Sequence, residues 1–105
     1  MIYTNQVIKI TGGQHMFRVW GKLIKDNRLL KDTVICINDY EMTRTHKVYK
    51  ALEDMCYEFD LAKPIWLKKN KDEFIQNART RFTADNFVED IDFDYLDFHV
   101  IEEEY

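Results

Sequence analysis

Three histidines and two cysteines, His15, His46, His99, Cys36 and Cys56, are the residues of this 105-residue chain best suited to metal binding or nucleophilic chemistry. A zinc site needs three or four such side chains converging at short spacings, and these five share none. The acids of "DIDFD", Asp90 to Asp94, resemble the opening of a calcium loop but lack its glycine and its closing glutamate. Serine is absent, which excludes a Ser-His-Asp triad. Cys56 and His46 lie roughly three turns apart along one helical stretch and cannot form a local dyad. Carboxylates crowd at Asp90, Asp92, Asp94 and Asp97, yet abundance in an acidic stretch is not a tuned acid–base pair. Loops that cradle phosphate need more glycine than three residues supply. The expectation is a non-enzymatic chain with no catalytic residues, no metal and no cofactor.

Two clusters remain whose residue types suit recognition. Arg18, Trp20, Lys22 and Ile24 alternate along one segment and share one of its faces, an aromatic among basic groups. If solvated, that face suits docking of a protein or a nucleic acid. It is equally open to being covered by residues 1–15, a helix or a second subunit. In "KPIWLKKNK", Lys63, Lys68, Lys69 and Lys71 surround Trp66; a charge run of this kind is most often a solvated loop.

The elements that must position these residues follow from period and punctuation. "MFRVWGKLIK" alternates, with Phe17, Val19, Gly21 and Leu23 on one side. "DNR" supplies turn chemistry, and the β-branched "LLKDTVICIN" completes a hairpin. From Thr43, Val48, Leu52, Met55 and Phe59 recur at helical spacing, capped by Thr43 or Thr45 and ended before Pro64. "PIWL", Pro64 to Leu67, suits a short edge strand with proline at its first position. Asn70 and Glu73 nearly match a capping box and predict a second helix over Lys71–Phe82, with Phe74, Ile75, Ala78 and Phe82 on one face. Thr83 opens a further helical turn. In the closing stretch the apolar phase shifts beside Tyr95. Ile91 and Phe93 therefore read as a plug for the core, and Tyr95–Glu102 as a strand with Leu96, Phe98 and Val100 inward.

Composition bounds the rest. An apolar fraction of 46% suits one globular domain and not a disordered chain. The longest uncharged runs, Met1 to Ile8 and Ile10 to Phe17, are too short to span a bilayer, and no basic region leads into an apolar one. The expectation is a cytoplasmic protein with Cys36 and Cys56 as buried, unbridged thiols. Residues 1–81 hold all 15 Lys and Arg against 10 acids, whereas residues 82–105 hold 9 acids and no base. That acidic end could mimic a nucleic-acid backbone or neutralise the chain's own bases. Residues 1–15 support two readings. "GGQHM" fits a translated ribosome-binding site ahead of a natural start at Met16, and Val7, Ile8 and Ile10 fit an additional strand. The domain itself is placed at 16–105.

The order hairpin, long helix, short strand, second helix, helical turn, long strand resembles the β-grasp, or ubiquitin-like, fold, an α+β class. It implies a hairpin wrapped on one helix, with the last strand beside the first at the sheet's centre. The chain ends "IEEEY" without the Gly-Gly of carriers and modifiers, and two distant cysteines cannot serve a ferredoxin cluster. Separately, "RTHKVYKALEDMCYEFDLAKPIWL" and "TRFTADNFVEDIDFDYL" look like a small, uncharacterised family of Clostridia-type bacteria, which implies a cytoplasmic bacterial protein. What remains is an interaction module with an unidentified protein partner. The alternative is a nucleic-acid-associated protein using Trp20 or Trp66 with nearby bases, against which the acidic end works electrostatically. No membrane association is expected.

Overall fold

The structure, a computed structural model, describes residues 16–39 and 41–103. Both readings of residues 1–15 therefore fall outside the described residues. The fold is α+β: a four-stranded antiparallel sheet carries two helices on one face. β1 (Phe17–Lys25) and β2 (Arg28–Ile37) form the hairpin. Asp26 and Asn27 turn the chain with φ of 52° and 64°, left-handed values that Asp and Asn tolerate and that match the twist of a two-residue hairpin. α1 (Arg44–Phe59) starts at Thr43, whose hydroxyl accepts from the His46 N–H, and stops at a left-handed Asp60. Its buried stripe includes Val48, Leu52, Met55 and Phe59, as the period requires.

α2 (Lys68–Asn77) leads through Ala78 into β3 (Arg79–Phe82). A 3₁₀ turn, Ala84–Asn86, capped by Thr83, precedes the loop to β4 (Tyr95–Glu103). Phe87 and Phe93 meet edge to face at the end of the core, and Ile91 packs against it, so the plug is real. Leu96, Phe98 and Val100 are buried with Phe17, Val19, Leu23, Ile35 and Ile37 beneath α1.

Three expectations are corrected. "PIWL" is not a strand, because the N–H and C=O of Ile65 are both taken by Asn86, leaving nothing for a ladder. The edge strand instead comes from residues assigned to the second helix. α2 ends at Asn77, Phe82 is buried from β3, and Ile75 is 81% exposed instead of facing the core. Asn70 is likewise not the cap residue; it lies in the first turn and its Oδ1 accepts from the Leu67 N–H at 3.1 Å.

The sheet order is β2-β1-β4-β3, so the first and last strands do pair at its centre. That pair runs antiparallel, Phe17 opposite Glu103 and Leu23 opposite Leu96, whereas a β-grasp sheet has it parallel. The cause is α2. Asn70 bonds to Thr80 and Arg81, and Ala78 to Val100, so α2 runs back along β3. This extra pass along the sheet reverses the direction in which β4 must leave.

One buried polar cluster ties these elements together. Asn70 Nδ2 donates to Thr80 Oγ1 (2.9 Å) and to the Arg81 carbonyl (3.0 Å). Asn86 Nδ2 donates to Asn70 Oδ1 and the Ile65 carbonyl, both at 2.7 Å. Both asparagines are fully buried and satisfied, which makes the cluster a fastening and not a site.

Candidate functional site

Strand register decides which side chains share the open face of the sheet, the face without helices. In an antiparallel ladder directly opposed residues point the same way. Trp20 stands between Val34 and His99, and His99 next to Arg79. Lys22 stands between Asp32 and Asp97, and Asp97 next to Arg81. Ile24 lies beside Tyr95, and Arg18 beside Cys36 and, past a bulge, Glu102. The face predicted for Arg18, Trp20, Lys22 and Ile24 thus forms, and all four are half-buried among one another's neighbours. Neither helix covers Trp20, since Met55, Lys47 and Phe74 all meet the opposite face.

The groups on this face are wired into a row. Trp20 Nε1 donates to Asp32 Oδ2 at 2.9 Å, and Lys22 Nζ lies 4.0 Å from the centre of the Trp20 ring. Lys22 Nζ also reaches Asp97 Oδ2 at 3.5 Å. Arg79 grips Asp97 with two bonds, Nε to Oδ1 at 3.0 Å and Nη2 to Oδ2 at 2.6 Å. Arg18 pairs with Glu102, and the Arg81 guanidinium lies 4.4 Å from the centre of the Tyr95 ring.

Asp97, only 3% exposed, is the best-enclosed group of the row. Burial alone would raise its pKa. The Arg79 hydrogen bonds and charge, with Lys22, outweigh burial and hold the carboxyl below its usual range. His99 is pushed down, first by burial and then by Arg79 and Lys22, against the pull of Asp97. Among the described residues no group of three or more His, Cys, Asp or Glu is placed to hold a metal.

Trp66 and its lysines are elsewhere. Trp66 lies on the helix side, walled by the rings of Tyr49, Phe74, Phe82 and Phe98, all within 15° of perpendicular to it. Its Nε1 is buried and has no hydrogen-bond acceptor among the described residues. Half-buried Trp66 is a hub of core rings, on the side of the sheet away from Trp20. Lys68 bonds to Asp72 at 2.7 Å one turn along α2, and Lys69 is exposed.

The sequence pattern set Asp97 and His99 opposite the core face of the last strand, as found, but did not bring Arg79, Arg81 and Tyr95 to the open face. Arg79 and Arg81 were hidden by their assignment to a helix, where they could not both project from one sheet face. The acidic end is resolved too. Asp97 pairs with Arg79, Glu102 with Arg18, Glu103 with Arg44, and Asp94 accepts from the Asp26 N–H. Those four acids neutralise or cap the chain's own groups. Cys56 is buried as expected but Cys36 is exposed, because even-numbered positions of this part of β2 point to the open face. No helix among the described residues is long and apolar enough to cross a membrane. Comparison with protein-family models, with curated proteins and with solved structures finds no match to this chain.

Proposed function

We propose that this chain is a non-enzymatic, cytoplasmic protein-binding module that docks an acidic segment of a protein partner on the open sheet face. The observation that supports it is the charge of that face. Arg18, Lys22, Arg79 and Arg81 stand against Asp32, Asp97 and Glu102, and each of these acids is already engaged within the face. Arg81 has no carboxylate partner among the described residues. A net-negative protein thus keeps a local cationic excess beside Trp20 and Tyr95, residue types that anchor protein interfaces.

The nucleic-acid alternative fits less well. Bases stack on open ring faces, whereas Lys22 lies over Trp20 and Arg81 over Tyr95. The β-grasp resemblance extends to the central first–last pair and the long helix, not to strand direction. The likeness to Clostridia-type bacterial proteins stays part of this proposal, as does the bacterial cytoplasm it implies.

Affinity capture from lysate of the source cells tests the function. Wild type, Arg81→Glu and Lys69→Glu serve as baits, the last placing the same reversal on the helix side. Capture of one protein by wild type and Lys69→Glu but not by Arg81→Glu supports the reading. Equal capture by all three removes it, and recovery of nuclease-sensitive, salt-sensitive material in place of protein moves it to nucleic acid.

A further inference from the structure

A cleft on the helix side has the composition of a small-molecule site. It opens between the first turns of α1 and the body of α2 and encloses about 250 Å³. Val48, Phe74 and Trp66 form its apolar floor, with Tyr49 and the exposed Ile75 as walls. Arg44 and Lys71 stand at its rim, and no carboxylate lines it among the described residues.

The two cations differ in a useful way. Arg44 is fixed: Glu103 holds its Nε, and the guanidinium lies 5.4 Å from the centre of the Phe74 ring. Its terminal nitrogens make no hydrogen bond among the described residues, so one side of the fork is available to an anion. The Lys71 ammonium has no ion pair or hydrogen bond among the described residues. Apolar, aromatic walls with few polar groups at one end match the general make-up of ligand pockets. The volume falls below the roughly 300–1,000 Å³ of sites for drug-sized molecules, leaving room for one ring and a short chain.

We infer that this cleft binds a small monocyclic aromatic carboxylate, its ring against Trp66 and Phe74 and its carboxylate at Arg44 and Lys71. The ring class follows from the three aromatic residues lining the cleft, and the anion from Lys71, unpaired among the described residues, beside the Arg44 terminal nitrogens that Glu103 leaves open. This site lies on the opposite side of the sheet from the proposed docking face, and neither reading depends on the other.

The test uses the full chain with ¹⁵N-labelled tryptophan, since the two indole N–H signals report the two faces separately. The probes are 3-phenylpropionate, its neutral amide and propionate. The expected result is a saturable shift of the Trp66 signal with 3-phenylpropionate while Trp20 stays in place. Binding should weaken about tenfold or more for the amide, for propionate and in Lys71→Glu, the cost of one charge-assisted contact or of the ring. Lys71 is exposed and unpaired among the described residues, so that variant should fold; Ile75→Asp, at another exposed position, should weaken binding similarly. No saturable shift overturns the inference. So does equal binding of the amide, or unchanged affinity in both variants.

Discussion

Arg79 binds both carboxylate oxygens of Asp97, yet the partners are unequally enclosed: the Asp97 side chain is 4% exposed and that of Arg79 42%. Removing either partner therefore has different consequences. Arg79→Met leaves an almost buried carboxylate with only Lys22, whereas Asp97→Asn leaves a guanidinium that water can reach. The expected losses in urea unfolding are about 3 kcal/mol for Arg79→Met and about 1 kcal/mol for Asp97→Asn. The reverse order would show that the carboxylate is not the sequestered member.

Acidification should weaken the fold in two steps. His99 is held below its ordinary value of 6.5, chiefly by burial and next by Arg79. The unfolded chain then takes up a proton that the folded chain resists. This contribution is complete above about pH 6.5 and is lost as pH falls through the lower folded value. Asp97 follows the same sign further down. Burial raises it, Arg79 and Lys22 lower it by more, and the stability it gives above about pH 4 disappears as its folded value is crossed. His99→Gln should abolish the first loss and keep the second, read as urea midpoints at several pH values. An unchanged decline between neutrality and mild acid in that variant would refute the role of His99.

Gly21 is dictated by packing. A Cβ built there would lie 2.1 Å from Met55 Sδ and 2.6 Å from Met55 Cε, far inside van der Waals contact, and Met55 is fully buried. Gly21→Ala should therefore destabilise by about 1–3 kcal/mol, although alanine alone suits a strand better than glycine. Shortening the neighbour in Gly21→Ala/Met55→Val should cost less than the two single changes added together. Additive losses in a double-mutant cycle would mean that the two side chains do not compete for one space.

The two cysteines should label in sequence. Burial pushes the Cys56 thiol up to about 11, with Lys63 pulling weakly the other way, while Cys36 sits exposed on the open face. A thiol reagent at pH 8 should modify Cys36 promptly and Cys56 only when the fold opens. Cys36→Ser should abolish the fast phase. Two fast thiols in the native protein would contradict the burial of Cys56.

What could be read from the chain was what periodicity encodes. Alternation from Phe17 to Ile24 placed β1 and its two faces, and the spacing of Val48, Leu52, Met55 and Phe59 placed α1. The phase shift beside Tyr95 separated plug from strand. The end of α2 was hidden because Ala78, a strong helix former, carries a left-handed φ of 55° at the cap where glycine would have signalled a stop. Its position is set by long-range bonds: Ala78 O accepts from Val100 N–H, and Asn70 reaches Thr80 and Arg81. With β3 read as helix, Arg79 and Arg81 could not be joined to Trp20 and Lys22. Half of the candidate face was thus legible from local pattern. Arg79 and Arg81 were set by a strand pairing that no local pattern announced.

Docking on the open sheet face is tested most directly by the indole N–H signals of Trp20 and Trp66 during titration with the captured protein partner. Trp20 donates to Asp32 on the open face, whereas Trp66 is enclosed by four rings on the other side. The Trp20 signal should move with the partner's binding curve while Trp66 stays in place, and Arg81→Glu should abolish the shift. A partner that moves Trp66 and leaves Trp20 unchanged would contradict docking on that face.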